Sequence, residues 1–483
     1  MTAEKNSEDL WVAPVAAAPI DAVLDLPGSK SLTNRELVLS AIADSSTLLL
    51  KPLESRDSSL MVAALKKLGL HIYGSAAGFS GVSKAVENST DSEPKSLEIR
   101  PSSVFEVTKD AGFGVDAEAS EVQNSQGINS FEPDFAEKVT EIEVGLAGTV
   151  MRFVPPLVGL FAGNWRFVGD KAAERRPMAT TIDSLRALGL EVDDEGRGTL
   201  PFTVRSNGRV PGGELTIDAS ASSQFVSGLL LSAPRFERGL TLRHAGEHLP
   251  SLPHIEMTLD CLAKRGVRVS QPEPSVWRVE PGPVSGGEVL IEPDLSNAGP
   301  FLAAAMVAGG TVRINDWPTE TTQVGREFVW LLERMGAQVE LIDGALALTG
   351  GERIHGIDVD LSIGGELAPV IVALAVLADG PSRITGIAHL RGHETDRLAA
   401  LVAEINRIGG NARELADGIE IQPVPVGSLH GATWHCYEDH RMATAGAIIG
   451  LRVAGIALDD VGCTSKTLPN FVELWHGMLA GSR

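Results

Sequence analysis

The sequence predicts an α/β protein built from six repeated strand–helix–strand–helix–strand units, three in each of two domains. Three observations point there. A length of 483 residues exceeds one ordinary hydrophobic core. Turns of small and polar residues open an apolar helix six times. If Ser29, Gly148, Ser222, Ser296, Glu366 and His440 are equivalent, the spacings are 119, 74, 74, 70 and 74 residues, and a fixed period marks repeated architecture.

The first helices of the units open at GSKSLTNRELVLSAIA from Gly28, GLAGTVMRFVPPLVGL from Gly145 and SASSQFVSGLLLSAP from Ser220. The other three open at DLSNAGPFLAAAMVAGG from Asp294, GGELAPVIVALAVLADG from Gly364 and EDHRMATAGAIIGLRVAG from Glu438. The second helices are LMVAALKKLGLHI, TIDSLRALGLEV, MTLDCLAKRGVRV, FVWLLERMGAQV, LAALVAEINRIGG and NFVELWHGMLA. Most of these place apolar residues at i, i+3, i+4 and i+7, the pattern of one buried helical face. Strand-like runs such as AVLDL lie between the helices. Helices are therefore expected inside and sheets outside, with the first helices aiming their N-termini at the gap between domains. The one long spacing implies an insertion. Residues 84–140 carry 12 Asp and Glu against 5 Lys and Arg and few apolar runs, so a surface excursion is expected there.

Composition excludes several classes. A net charge of −22 argues against nucleic acid or an anionic membrane as partner. No run of about 18 apolar residues suggests a membrane span. The start, MTAEKNSEDLWVAP, lacks the layout of a secretory signal, and a reduced, cytoplasmic protein is expected. Cys261, Cys436 and Cys463 match no zinc spacing. His435, Cys436 and His440 invite a metal reading, but neighbours in an extended chain diverge, and no metal is expected.

The helix openings carry the chemistry. A helix N-terminus presents unpaired N–H groups and partial positive charge, so it attracts anions. Small residues allow close approach, and serine adds a hydroxyl donor. Ser29, Lys30 and Ser31 fit an anion cradle, with Arg35 one turn further on, and similar openings occur at Gly148 with Arg152, Ser222–Gln224, and Asp439–Arg441. Further cations sit in turn-like contexts: Arg176 in ERRP, Arg397 in HETDR and Lys466 in CTSKTLP. Taken singly each reads as a cap or a solvated charge. At one point of repeated units, together, they point to two or more phosphate or carboxylate groups held at once.

These residues resemble the 5-enolpyruvylshikimate-3-phosphate (EPSP) synthase family. The motifs are PGSKSxxNR at 27–35, AGTVMR at 147–152, ERRP at 174–177, SSQF at 222–225, ETDRL at 394–398, DHRM at 439–442 and TSKTLP at 464–469. The resemblance implies an inside-out α/β barrel in two domains, one of residues 1–28 with 293–483 and one of residues 29–292. It implies transfer of the enolpyruvyl group of phosphoenolpyruvate to shikimate 3-phosphate, with no cofactor, in a monomer. By motif, Lys30, Ser31, Arg35, Ser222, Ser223, Gln224, Ser251, Glu366 and His393 would hold shikimate 3-phosphate. Lys30, Gly148, Arg176, Gln224, Arg397, Arg441 and Lys466 would hold phosphoenolpyruvate. Glu366, Lys30, Glu394 and Lys466 would be catalytic, with Glu366 standing where most of the family has Asp.

Other departures are Leu146 for a common Asn, His389 for a common Asn and His393 for a common Lys; the charge of His393 is expected to vary with pH. Gly148 keeps the small position that admits the inhibitor glyphosate in the family. One rival is the enolpyruvyl transferase acting on a UDP-amino sugar, which opens with Lys-Asn rather than Lys30-Ser31 and carries a loop cysteine absent near ERRP. The other is a non-catalytic anion-binding protein of the same fold.

Overall fold

The computed structural model describes residues 10–74, 104–108, 138–246 and 249–481. Twelve α-helices lie among them: α1 Lys30–Ile42, α2 Arg56–Lys67, α3 Gly148–Val158, α4 Ala179–Ala187, α5 Gln224–Ser232, α6 Leu252–Lys264, α7 Leu295–Ala308, α8 Phe328–Arg334, α9 Ala368–Val376, α10 Arg397–Arg407, α11 His440–Gly450 and α12 Phe471–Ala480. Odd and even helices differ as their sequences require. In α9 every residue of APVIVALAV is buried, and α3, α5, α7 and α11 are nearly as enclosed. A helix that is apolar all round belongs in a core. By contrast, α10 buries one stripe, including Leu398, Leu401 and Ile405, beneath a sheet.

Five of the six sheets share one strand order. In the clearest, Val139–Glu143 runs parallel to Ala162–Val168, which pairs antiparallel with Phe202–Asn207, which pairs antiparallel with Glu191–Asp193. The sixth sheet is shorter. Thr433–Trp434 runs parallel to Ala457–Leu458, and the N-terminal strand Trp11–Val12 takes the place of the missing fourth strand. Trp11 also sets its ring 6.3 Å from that of Phe471 on α12.

Two sheets borrow their first strand from far away in the chain. Ile20–Leu24 pairs with Gly310–Ile314, and Gly287–Leu290 pairs with Thr47–Leu50. The chain therefore crosses between halves twice, and the crossings brace each other. The Ser29 N–H donates to Glu292 O at 2.8 Å, and the Asp294 N–H to Pro27 O at 3.0 Å. Gly28 is needed here because a Cβ would lie 2.1 Å from Lys51 O. The buried apolar residues fall into two clusters that match the crossings, one from Leu32 to Ile291 and one from Ala13 to Leu24 plus Leu295 to Met478.

The acidic stretch 84–140 differs in part from expectation. Val104–Thr108 is a strand that pairs with both Thr47–Leu50 and His71–Gly74, filling the fourth-strand place of its unit. Its VFEVT sequence has the β-branched and aromatic character that a sheet interior selects. Val139 and Thr140 begin the next unit. The remainder of the expected excursion lies outside the described residues, apart from Lys138. Among the described residues no helix is long and apolar enough to cross a membrane.

Candidate active site

The first helix of each unit begins at one cleft between the two clusters. Of the residues singled out in the sequence, Lys30, Ser31, Arg35, Gly148, Arg176, Ser222 and Gln224 line one wall. Glu366, His393, Glu394, Arg397, Arg441 and Lys466 line the other. Ser223 and Ser251 are not in the lining. Ser223 is buried just before α5, and Ser251 precedes α6 in left-handed backbone at φ 54°.

Local capping aims these groups. Ser29 caps α1, and Asp294 caps α7 through a bond from the Asn297 N–H at 3.1 Å. The second oxygen of Asp294 accepts the Lys30 N–H at 3.1 Å, which locks the start of α1 to the start of α7. Asp439 caps α11 and also receives Arg397, with Nε at 2.7 Å and Nη2 at 3.2 Å. That buried, two-pronged pair fixes the guanidinium plane, and Glu394 accepts from the same group at 2.9 Å. Lys466 donates to the other oxygen of Glu394.

Charge is concentrated and only partly compensated. Burial works against ionisation of Glu394, but Lys466 and Arg397 outweigh it and hold the carboxyl well below its ordinary value. Burial also opposes the charge of Glu366, and His254, Arg441 and Ser296 overcome it, so Glu366 stays an anion at neutral pH. Burial lowers Lys30 despite Asp57, whose carboxylate stands 3.6 Å away. Burial and the adjacent Arg176 together depress Arg152 strongly. Burial and then Arg397 lower His393 from its ordinary value, although its side chain keeps 39% of its exposure.

Several polar atoms in the cleft have no hydrogen-bond partner among the described residues: Nε of Arg152, Nε of Arg176 and Oε1 of Gln224. Buried unpaired polar atoms of this kind are costly unless a ligand meets them, and two guanidinium groups call for an anionic one. Arg176 is aimed by its bond to Leu146 O at 3.2 Å, a backbone contact that the leucine side chain does not disturb. Gly148 lies between these groups; a Cβ there would come 2.9 Å from Gln224 Oε1 and 3.2 Å from Arg152 Nη1.

Arg35 lines the cleft and is also held by the protein around it. Its Nε donates to Thr258 Oγ1 at 2.8 Å, Nη1 to Ser31 O at 2.9 Å and Nη2 to His254 O at 2.8 Å. It ties α1 to α6. Sequence reasoning missed His254, Ser296 and Asp57 as cleft residues, whereas His440 belongs to the Asp439–Arg441 opening that it had marked. The signal for Ser296 was its own repeat position, whereas His254 sits in PSLPHIEM with nothing local to mark it.

A crowd of cations and helix N-termini on two facing walls, with the Glu366 carboxylate among them, suits the joining of two small polyanions with proton transfer. Comparison with other proteins agrees. Residues 15–104 and 102–475 match the family described as EPSP synthase (3-phosphoshikimate 1-carboxyvinyltransferase). A curated relative from Kocuria rhizophila, named 3-phosphoshikimate 1-carboxyvinyltransferase, is 50% identical over 470 residues, covering 97% of this chain and 96% of that one. Two solved structures of EPSP synthase from Acinetobacter baumannii share the fold. One has a TM-score of 0.71, 20% identity and 97% coverage of both chains. The other has a TM-score of 0.69 and 20% identity, covering 96% of this chain and 97% of that one.

Proposed function

The chain belongs to the EPSP synthase family, and on that premise we propose that it is a 3-phosphoshikimate 1-carboxyvinyltransferase of aromatic amino-acid biosynthesis. It joins phosphoenolpyruvate to the 5-hydroxyl of shikimate 3-phosphate and releases phosphate. The observation that carries the reading is the convergence of Lys30, Arg176, Arg397, Arg441 and Lys466 on one cleft around Glu366.

In this reading Ser31, Arg35 and Ser222 receive shikimate 3-phosphate, with Ser223 and Ser251 supporting the turns behind them and His393 beside it. The amide end of α3 at Gly148 and the cations Arg176, Arg397, Arg441 and Lys466 receive phosphoenolpyruvate. Gln224 lies between the substrates, and Lys30 touches both. Glu366 accepts the 5-hydroxyl proton as oxygen attacks C2, while C3 gains a proton from the Lys466–Glu394 pair. The tetrahedral intermediate then loses phosphate from C2 and a proton from C3, which returns to the Lys466–Glu394 pair. Helix dipoles and cations stabilise the departing phosphate without rearranging.

The two hydrophobic clusters support two domains, residues 1–28 with 293–483 and residues 29–292, that meet over the substrates. We take the enzyme to work as a cytoplasmic monomer without cofactor, as the family resemblance suggests. The test is phosphate release: turnover requiring both substrates supports the reading, and binding of both without phosphate release overturns it.

A further inference from the structure

Glu366 is held from both walls of the cleft. Ser296 Oγ donates to Oε1 at 3.2 Å, and His254 Nε2 stands 3.2 Å from Oε2. Ser296 belongs to α7, in the same half as Glu366, whereas His254 belongs to α6, in the other half. We propose that His254 is a positioning residue for the Glu366 carboxylate, orienting it from the half opposite to the one that carries it. The proposal rests on the reading of Glu366 as acceptor of the hydroxyl proton.

Three features carry it. First, His254 is itself fixed. Its carbonyl accepts from Arg35 Nη2 at 2.8 Å, Thr258 Oγ1 at 2.9 Å and Ser227 Oγ at 3.3 Å, so the first turn of α6 is pinned to α1 and α5. Second, glutamate has one methylene and one rotatable bond more than aspartate. A single anchor at Ser296 leaves the second oxygen free to swing, and an anchor from the opposite wall removes that freedom. Third, an Nε2–H donor favours the charged carboxylate and leaves lone pairs on both oxygens for an incoming hydroxyl. The two anchors sit in different halves, so the carboxylate is held from both sides of the cleft.

The other charged or titratable groups acting on Glu366 are Arg35 from α1, Arg397 from α10, Arg441 from α11 and His389 from the turn before α10. They remain in every variant below, so a changed pH profile reports the His254 contact.

The experiment is steady-state phosphate release by the full chain carrying H254A or H254Q, each with Glu366 or with E366D, followed across pH. H254A should lower kcat about 10- to 100-fold while KM for phosphoenolpyruvate moves less than about threefold. The acid limb of its kcat profile should move up in pH, because loss of a bond to the charged form raises the carboxylate's pKa. H254Q keeps an N–H donor and should recover most of kcat. In E366D, whose shorter carboxylate falls short of the opposite wall, H254A should cost less than about threefold. An unmoved acid limb, equal losses in both backgrounds, or equal behaviour of Ala and Gln overturns the proposal. If H254A does not fold, H254L, of similar bulk without a donor, is read by the same outcomes. A lack of turnover in the unsubstituted chain overturns the functional reading with it; normal turnover there with additive losses overturns the proposal alone.

Discussion

At the scale of single residues the site is a balance of burial against charge. Glu366 is enclosed yet anionic because His254, Arg441 and Ser296 together outweigh desolvation. Glu366→Gln keeps the shape and removes the proton acceptor, so kcat should fall by about 10²–10⁴-fold with substrate binding retained. Rapid-quench and equilibrium binding measurements separate the two quantities; near-normal turnover removes Glu366 from its role. Gly148 shows the opposite sensitivity, to volume. The Cβ of Gly148→Ala would press on Gln224 Oε1 and on the guanidinium groups of Arg152 and Arg176. KM for phosphoenolpyruvate should rise by about tenfold, ~1.4 kcal/mol, with little change for shikimate 3-phosphate.

At the scale of elements, turns and caps hold the helices that carry these residues. Asp194 illustrates the cost of one turn. Its carboxylate is almost fully buried after the strand Glu191–Asp193, where it accepts Arg186 Nη2 at 2.6 Å and the N–H groups of Gly198 at 2.7 Å and Gly196 at 3.1 Å. The Arg186 bond and then the Gly198 bond lower its pKa to about 2. A folded-state value below the unfolded one means stabilisation that is full above about pH 4 and lost as pH falls towards 2. Asp194→Asn should therefore cost about 1–2 kcal/mol at neutral pH, and the difference should vanish near pH 2. Urea melts of both proteins at several pH values check this; a constant difference contradicts it. The pair of Arg265 and Glu36, both buried, joins the end of α6 to α1 at 2.7 Å in the same structural role.

At the scale of the whole molecule the two hydrophobic clusters are joined by the double crossing and face each other across the cleft. Residues 29–292 contain one complete cluster and both strands of the pair Gly287–Leu290 with Thr47–Leu50. A fragment of residues 29–292 should fold cooperatively but release no phosphate, because Glu366, Arg397, Arg441 and Lys466 lie on the other half. A fragment of residues 29–284 lacks the strand Gly287–Leu290 and should melt at lower temperature. Circular dichroism and the phosphate assay check both; equal stability of the two fragments contradicts the pairing argument.

Much of this was legible without coordinates. Periodicity reports burial directly, so the six units, their buried first helices and their amphipathic second helices could be read from apolar spacing. Helix openings advertise themselves through Ser, Gly and Asp, and the cations beside them, such as Lys30, Arg397 and Arg441, marked the cleft. The three-dimensional arrangement alone decided what depends on distance between remote segments. It paired Ile20–Leu24 with Gly310–Ile314 and Gly287–Leu290 with Thr47–Leu50, placed Val104–Thr108 in a sheet despite its acidic surroundings, and bonded Arg35 to α6 at the edge of the cleft. It also set His254 against Glu366 across 112 residues of sequence, and no local pattern encodes such a contact, because its energy exists only once both helices are packed.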